Sequence, residues 1–134
     1  MPVVHASSAP VFTFSPPDSV DLPVPHITVR GYAAPSRGST EICMWRLTLA
    51  PGVPPWMGMV DREEVFFVLS GNAVVSLDGT EHKLTAADAL IVPPHVTFGI
   101  GNPYDEPLEM VAVLPVGGRG YVAGQEPFVP PWTR

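Results

Sequence analysis

Glu64 is the residue in this chain best placed to do chemistry. It ends a charged corner, Asp61-Arg62-Glu63-Glu64, and opens an uncharged run, Val65-Phe66-Phe67-Val68-Leu69. A carboxyl drawn into apolar surroundings loses hydration, which disfavours its charged form and raises its pKa. Such a group can serve as general acid or base near neutral pH. The stretch that contains it, Pro51 to Gly71, also carries Trp56, Met57 and Met59, so it is rich in sulfur and aromatic rings. A second stretch, Ala87 to Asn102, carries His95, Phe98 and Ile100. The two read as halves of one pocket. Asp61, Glu63, His95 and Tyr104 are the candidate partners for Glu64 in proton transfer, and nothing in the sequence turns any of them inward. Cys43 is the single cysteine, which excludes an intramolecular disulfide and a cysteine-built zinc site. It reads as a small core residue.

Short strands must position these groups. His26 to Tyr32 alternates, and so does Glu41 to Leu49, where Cys43, Trp45, Leu47 and Leu49 share one face. Val65 to Leu69 is apolar on both faces, which predicts a central strand covered on each side. Ala73 to Leu77 and Glu81 to Leu84 flank Asp78-Gly79, a strong hairpin signal. Ala89 to Val92, Val96 to Ile100 and Leu108 to Leu114 complete the set, and Val11 to Phe14 is a candidate edge strand before a break at Pro16-Pro17. No segment holds a helical period. About nine short antiparallel strands with turn signals between them predict an all-β sandwich or barrel. The tail from Gly117 to Arg134 is rich in Gly and Pro and carries Phe128 and Trp132, which are expected to pack on the outside of the barrel or against a second subunit.

Composition narrows the class further. A chain of 134 residues with 46% hydrophobic and 15% charged residues has enough apolar side chains for one packed core, so the reading is one domain over 1–134. Eighteen prolines and twelve glycines favour short strands and turns over helices. A formal charge of −6 with Lys83 as the only lysine argues against nucleic acid and anionic membranes as partners. No run approaches the roughly 18 apolar residues of a membrane span, and the N-terminus lacks the features of a secretory signal. The expectation is a soluble cytoplasmic protein.

The two stretches resemble the paired motifs of the cupins, small jelly-roll β-barrels. In the first motif, G-x5-H-x-H-x3-E-x6-G, Gly52, Glu64 and Gly71 fall in place. In the second, G-x5-P-x-G-x2-H-x3-N, Pro93 and Asn102 do. The resemblance covers roughly residues 26–115, the expected barrel core, with the N-terminal arm and the C-terminal tail packing outside it. It implies a divalent metal held by three histidines and the glutamate. Gly58, Val60 and Phe98 stand at the histidine positions, and Ala87 and His95 at two glycine positions. Glu64 alone remains of the ligand set, and one carboxylate does not make a metal site. The expectation is therefore no metal and no other cofactor.

If the frame holds, positions 58, 60, 64 and 98 point into the barrel, and alternation adds Phe66, Val68 and Ile100. The expected ligand-binding residues are Trp45, Trp56, Met57, Met59, Val60, Phe66, His95, Phe98 and Ile100, around Glu64 as the catalytic acid or base. With the histidines missing and Glu64 kept, the expectation is a metal-independent isomerase, cyclase or lyase acting on a small hydrophobic molecule; cupins include cyclases of secondary metabolism, so the resemblance makes this class reasonable without selecting a substrate. The alternative is a non-catalytic barrel that binds or senses such a molecule, which needs the pocket without the acid. A homodimer is expected by analogy with the family, through Val74, Met44 or the tail aromatics.

Overall fold

The computed structural model describes residues 2–15 and 26–134, so the break expected at Pro16-Pro17 lies outside the described residues. The architecture is all-β, a jelly roll of antiparallel strands. Eleven strands occur among the described residues: β1 (Val11–Phe14), β2 (Ile27–Ala33), β3 (Ile42–Leu49), β4 (Met59–Val60), β5 (Glu64–Ser70), β6 (Asn72–Leu77), β7 (Thr80–Thr85), β8 (Ala89–Val92), β9 (Phe98–Gly101), β10 (Leu108–Pro115) and β11 (Gly120–Tyr121). The nine strands expected from sequence are all present. The additions are β4 and β11, two residues each, which pair with one another across a gap in sequence that local patterning does not bridge. No helix among the described residues is long and apolar enough to cross a membrane.

One sheet has six strands in the order β1-β2-β3-β10-β5-β8. The other has the order β7-β6-β9, and a bridge between Gly58 and Phe98 ties it to the β4-β11 pair. Alternation decides what lies between the sheets. On β3, Cys43, Trp45, Leu47 and Leu49 are buried, as expected, and Ile42 and Met44 face out. On β5, Glu64, Phe66 and Val68 face in. The expectation that β5 is covered on both faces does not hold within one chain. Phe67 and Leu69 stay 42% and 39% exposed, and Ile91 on the neighbouring strand stays 58% exposed. Apolar side chains on both faces thus mark an outer surface that the described residues leave open.

The motif positions have plain structural reasons. Gly71 has φ 84°, and a Cβ there would run into the Pro107 carbonyl. Asn102 is fully buried; its Nδ2 donates to the carbonyls of Leu49, Ala50 and Glu106, and its Oδ1 accepts from the Tyr104 N–H. It joins the end of β3 to the turn before β10. Ala87 and His95, which replace glycines of the cupin pattern, keep the glycine conformation, with φ 72° and 62°. A left-handed non-glycine residue is strained by about 1–2 kcal/mol. Ala87→Gly is accordingly expected to raise stability by about 1 kcal/mol, read as a higher urea midpoint. His95→Gly should gain less, because it gives up the ring contact with Tyr121.

The C-terminal tail corrects another expectation. It does not lie outside the barrel. It folds back across one end, where Trp132 stacks on Phe14 with ring centroids 5.5 Å apart and 9° between planes. The turn at 34–39 holds it. Arg37 Nη2 donates to the Trp132 carbonyl at 3.0 Å, and Ser36 Oγ donates to the Arg134 carbonyl at 2.6 Å. The Cys43 thiol, fully buried, lies 3.6 Å from the Thr133 carbonyl. Burial pushes this thiol's pKa up and the nearby Arg37 charge pulls it down, with burial the larger effect.

Candidate functional site

Between the sheets, toward the end crossed by the tail, lies a cavity of about 440 Å³. This is the size of a site for a drug-sized molecule. The inner face of the large sheet supplies Trp45 and Leu47 from β3 and Phe66 from β5. The opposite sheet supplies Phe98 and Ile100 from β9, whose intervening glycines are covered on the outside by Pro55 and Met57. The connection after β3 turns Trp56 inward, and β4 adds Met59 and Val60. Of the candidate residues, eight are therefore brought together here: Glu64, Trp45, Trp56, Met59, Val60, Phe66, Phe98 and Ile100. Met57 and His95 are not. Met57 sits on the outer side of β9, against Gly99, because the segment that points Trp56 inward points its neighbour outward. His95 is exposed, in a tight turn whose backbone N–H donates to the Val60 carbonyl at 2.7 Å.

The sequence reading missed the walls contributed by the chain ends. Phe12 and Phe14 on β1, Tyr121 on β11, and Phe128 and Trp132 in the tail all line the cavity. Their aromatic character was the available signal; their position depends on contacts between opposite ends of the chain. The acidic corner also differs from a free solvated loop. Asp61 accepts the Arg119 N–H at 2.7 Å through its carboxylate and donates its own N–H to the Arg119 carbonyl, which sets the tail on its path along β4.

Glu64 is 5% exposed and lines this cavity from the start of β5. Among the described residues it has no salt bridge and no side-chain hydrogen bond. Arg46 is paired with Glu109 on the outer face, and Arg62 is exposed, so neither guanidinium meets this carboxyl. With no partner to hold the charge, desolvation raises its pKa from 4.5 to about 8. At neutral pH the group is mainly the protonated acid, able to donate one proton into an apolar space. Tyr121 is the other titratable side chain among the described lining residues.

The metal that cupin motifs imply does not fit this donor set. The four motif positions do converge on the cavity, but Gly58, Val60 and Phe98 offer no ligand. No cluster of three or more His, Cys, Asp or Glu side chains occurs among the described residues. Position 58 is also tight: a Cβ there would sit 3.0 Å from the Tyr121 carbonyl, so β11 would have to give way for a larger side chain.

Comparisons with known proteins agree with this architecture. The polyketide cyclase RemF from Streptomyces resistomycificus superposes with a TM-score of 0.74 at 17% identity, over 94% of this chain and 87% of that one. An RmlC-like cupin from Shewanella frigidimarina superposes with a TM-score of 0.64 at 17% identity, over 83% and 86%. At such identity the likeness is one of fold. No curated protein sequence matches. The cupin domain model matches residues 45–114, more than half of the chain and both motif stretches. The chain belongs to the cupin family.

Proposed function

We propose that this cupin is a metal-independent cyclase that closes a ring in a small, apolar, polyketide-like molecule, with Glu64 as the proton-transfer group. The observation that carries the reading is a protonatable carboxyl, buried without a partner among the described residues, in an aromatic cavity of substrate size. The RemF-like fold supports the reaction class. The step is an internal aldol addition. The enol carbon of one β-dicarbonyl unit attacks a second carbonyl carbon, a C–C bond forms, and the C=O π bond breaks. Glu64 gives its proton to the oxygen that gains charge and recovers one from the enol O–H, so no co-reactant is consumed. Aromatic walls fold the flexible chain and exclude water, which brings the reacting carbons together.

The test is conversion of a synthetic linear poly-β-ketone by protein stripped with chelator, followed by chromatography. Product formation above the buffer rate, unchanged by chelation, is the expected result. Activity that returns only with added metal would overturn metal independence. A second reading, binding without turnover, is favoured by the single strongly perturbed carboxyl. In that case the ketone binds saturably and leaves unchanged.

The open outer face of the large sheet is proposed to take a second copy of this chain. Ile42, Met44, Phe67, Leu69 and Ile91 make it apolar, and the Arg46–Glu109 pair gives it both signs of charge, which is self-complementary across a two-fold axis. Of the expected contacts Met44 lies on this face, whereas the tail aromatics line the cavity. Phe67→Glu is expected to halve the mass measured by sedimentation. An unchanged mass would place the contact elsewhere.

A further inference from the structure

Three buried side-chain polar atoms lack a hydrogen-bond partner among the described residues: His26 Nδ1, Trp56 Nε1 and Trp132 Nε1. The last two belong to residues that line the same cavity. Both indoles pack on Phe14, with ring centroids 5.6 Å away for Trp56 and 5.5 Å away for Trp132. An indole N–H is a donor only, and shielding it from water without an acceptor is unfavourable. The walls around the two rings are largely carbon, so the protein offers little to satisfy them. Arg37 holds the Trp132 backbone through its carbonyl, which keeps the tail in place.

We propose that Trp56 and Trp132 are hydrogen-bond donors to the bound molecule, and that this molecule is planar and polyoxygenated, with carbonyl or phenolic oxygens for the two indole N–H groups. In the proposed bound state each indole N–H faces the ligand. The flat aromatic faces then hold the ring system, and the two donors select for oxygen. No lysine or arginine lines the cavity among the described residues, so the oxygens belong to a neutral molecule rather than an anion. An unpaired donor discriminates strongly, because a ligand without the matching acceptor leaves it buried and unsatisfied. The inference rests on the cavity being the ligand site, and it adds the class of molecule that the site takes.

The probes are anthracene, anthrone and anthraquinone, of similar shape and with none, one and two carbonyl oxygens. Affinity is read by quenching of tryptophan fluorescence in the wild type, Trp56→Phe, Trp132→Phe and the double variant. Wild-type affinity is expected to rise by at least tenfold from anthracene to anthraquinone. Each single variant should lose part of that preference and the double variant all of it, with anthracene affinity held within about twofold. In ¹H–¹⁵N spectra of the wild type, the indole N–H signals of Trp56 and Trp132 should move downfield with anthraquinone and not with anthracene. Equal wild-type affinity for all three probes, or an undiminished preference in the double variant, would overturn the donor role and leave the ligand site standing. Saturable binding of none of them would overturn the ligand site itself, and the donor role with it.

Discussion

Glu64→Gln is expected to lower cyclisation by about 10²–10⁴-fold, the range that a positioned acid–base group contributes. Glutamine keeps the shape and a hydrogen-bond donor but carries no transferable proton. Ligand affinity should therefore change little, and the loss should appear in kcat. The pH profile separates this from a structural effect. The active form is the protonated acid, so the wild-type rate should fall as pH rises through about 8. The residual rate of the variant should lack that limb. Turnover that survives the substitution would remove the catalytic reading and leave the cavity as a binding site.

The same substitution is expected to stabilise the fold in alkali. In the unfolded chain Glu64 titrates near 4.5, and in the folded chain near 8. Between these values the folded state holds a proton that the unfolded state has lost. Stability must then fall as pH rises through this window. The loss is absent below about pH 4.5 and complete above about pH 8, where it amounts to about 5 kcal/mol. Glu64→Gln abolishes the titration. Its urea midpoint should match the wild type below about pH 4.5, exceed it increasingly as pH rises to about 8, and hold that excess above. Parallel midpoints across that range would mean that water or a moving side chain satisfies the carboxylate.

Much of this was legible in the residues. Alternation along β2 and β3 sets one face of each strand, with Cys43, Trp45, Leu47 and Leu49 on that of β3, between two sheets, because successive strand side chains must point to opposite faces. The resemblance to the cupin motifs, carried by Gly52, Glu64, Gly71, Pro93 and Asn102, implies a carboxyl on the inner face and metal ligands at 58, 60 and 98 that this sequence does not supply. The alternation is local and the motif frame comes from the family resemblance.

Other features belong to the tertiary structure. Apolar residues on both faces of β5 do not say whether the outer cover comes from this chain, and none of the described residues supplies it. Trp56 and Met57 are equal candidates in sequence, yet the path of the chain over β9 turns one in and the other out. Above all, Phe12, Phe14, Phe128 and Trp132 form the end wall of the cavity although the two pairs come from opposite chain ends. Their meeting is set by the grip of Ser36 and Arg37 on residues 132 and 134, across more than ninety positions. A Gly- and Pro-rich tail has no period to reveal its destination, so the strands determined that there is a cavity and long-range closure decided what it is lined with.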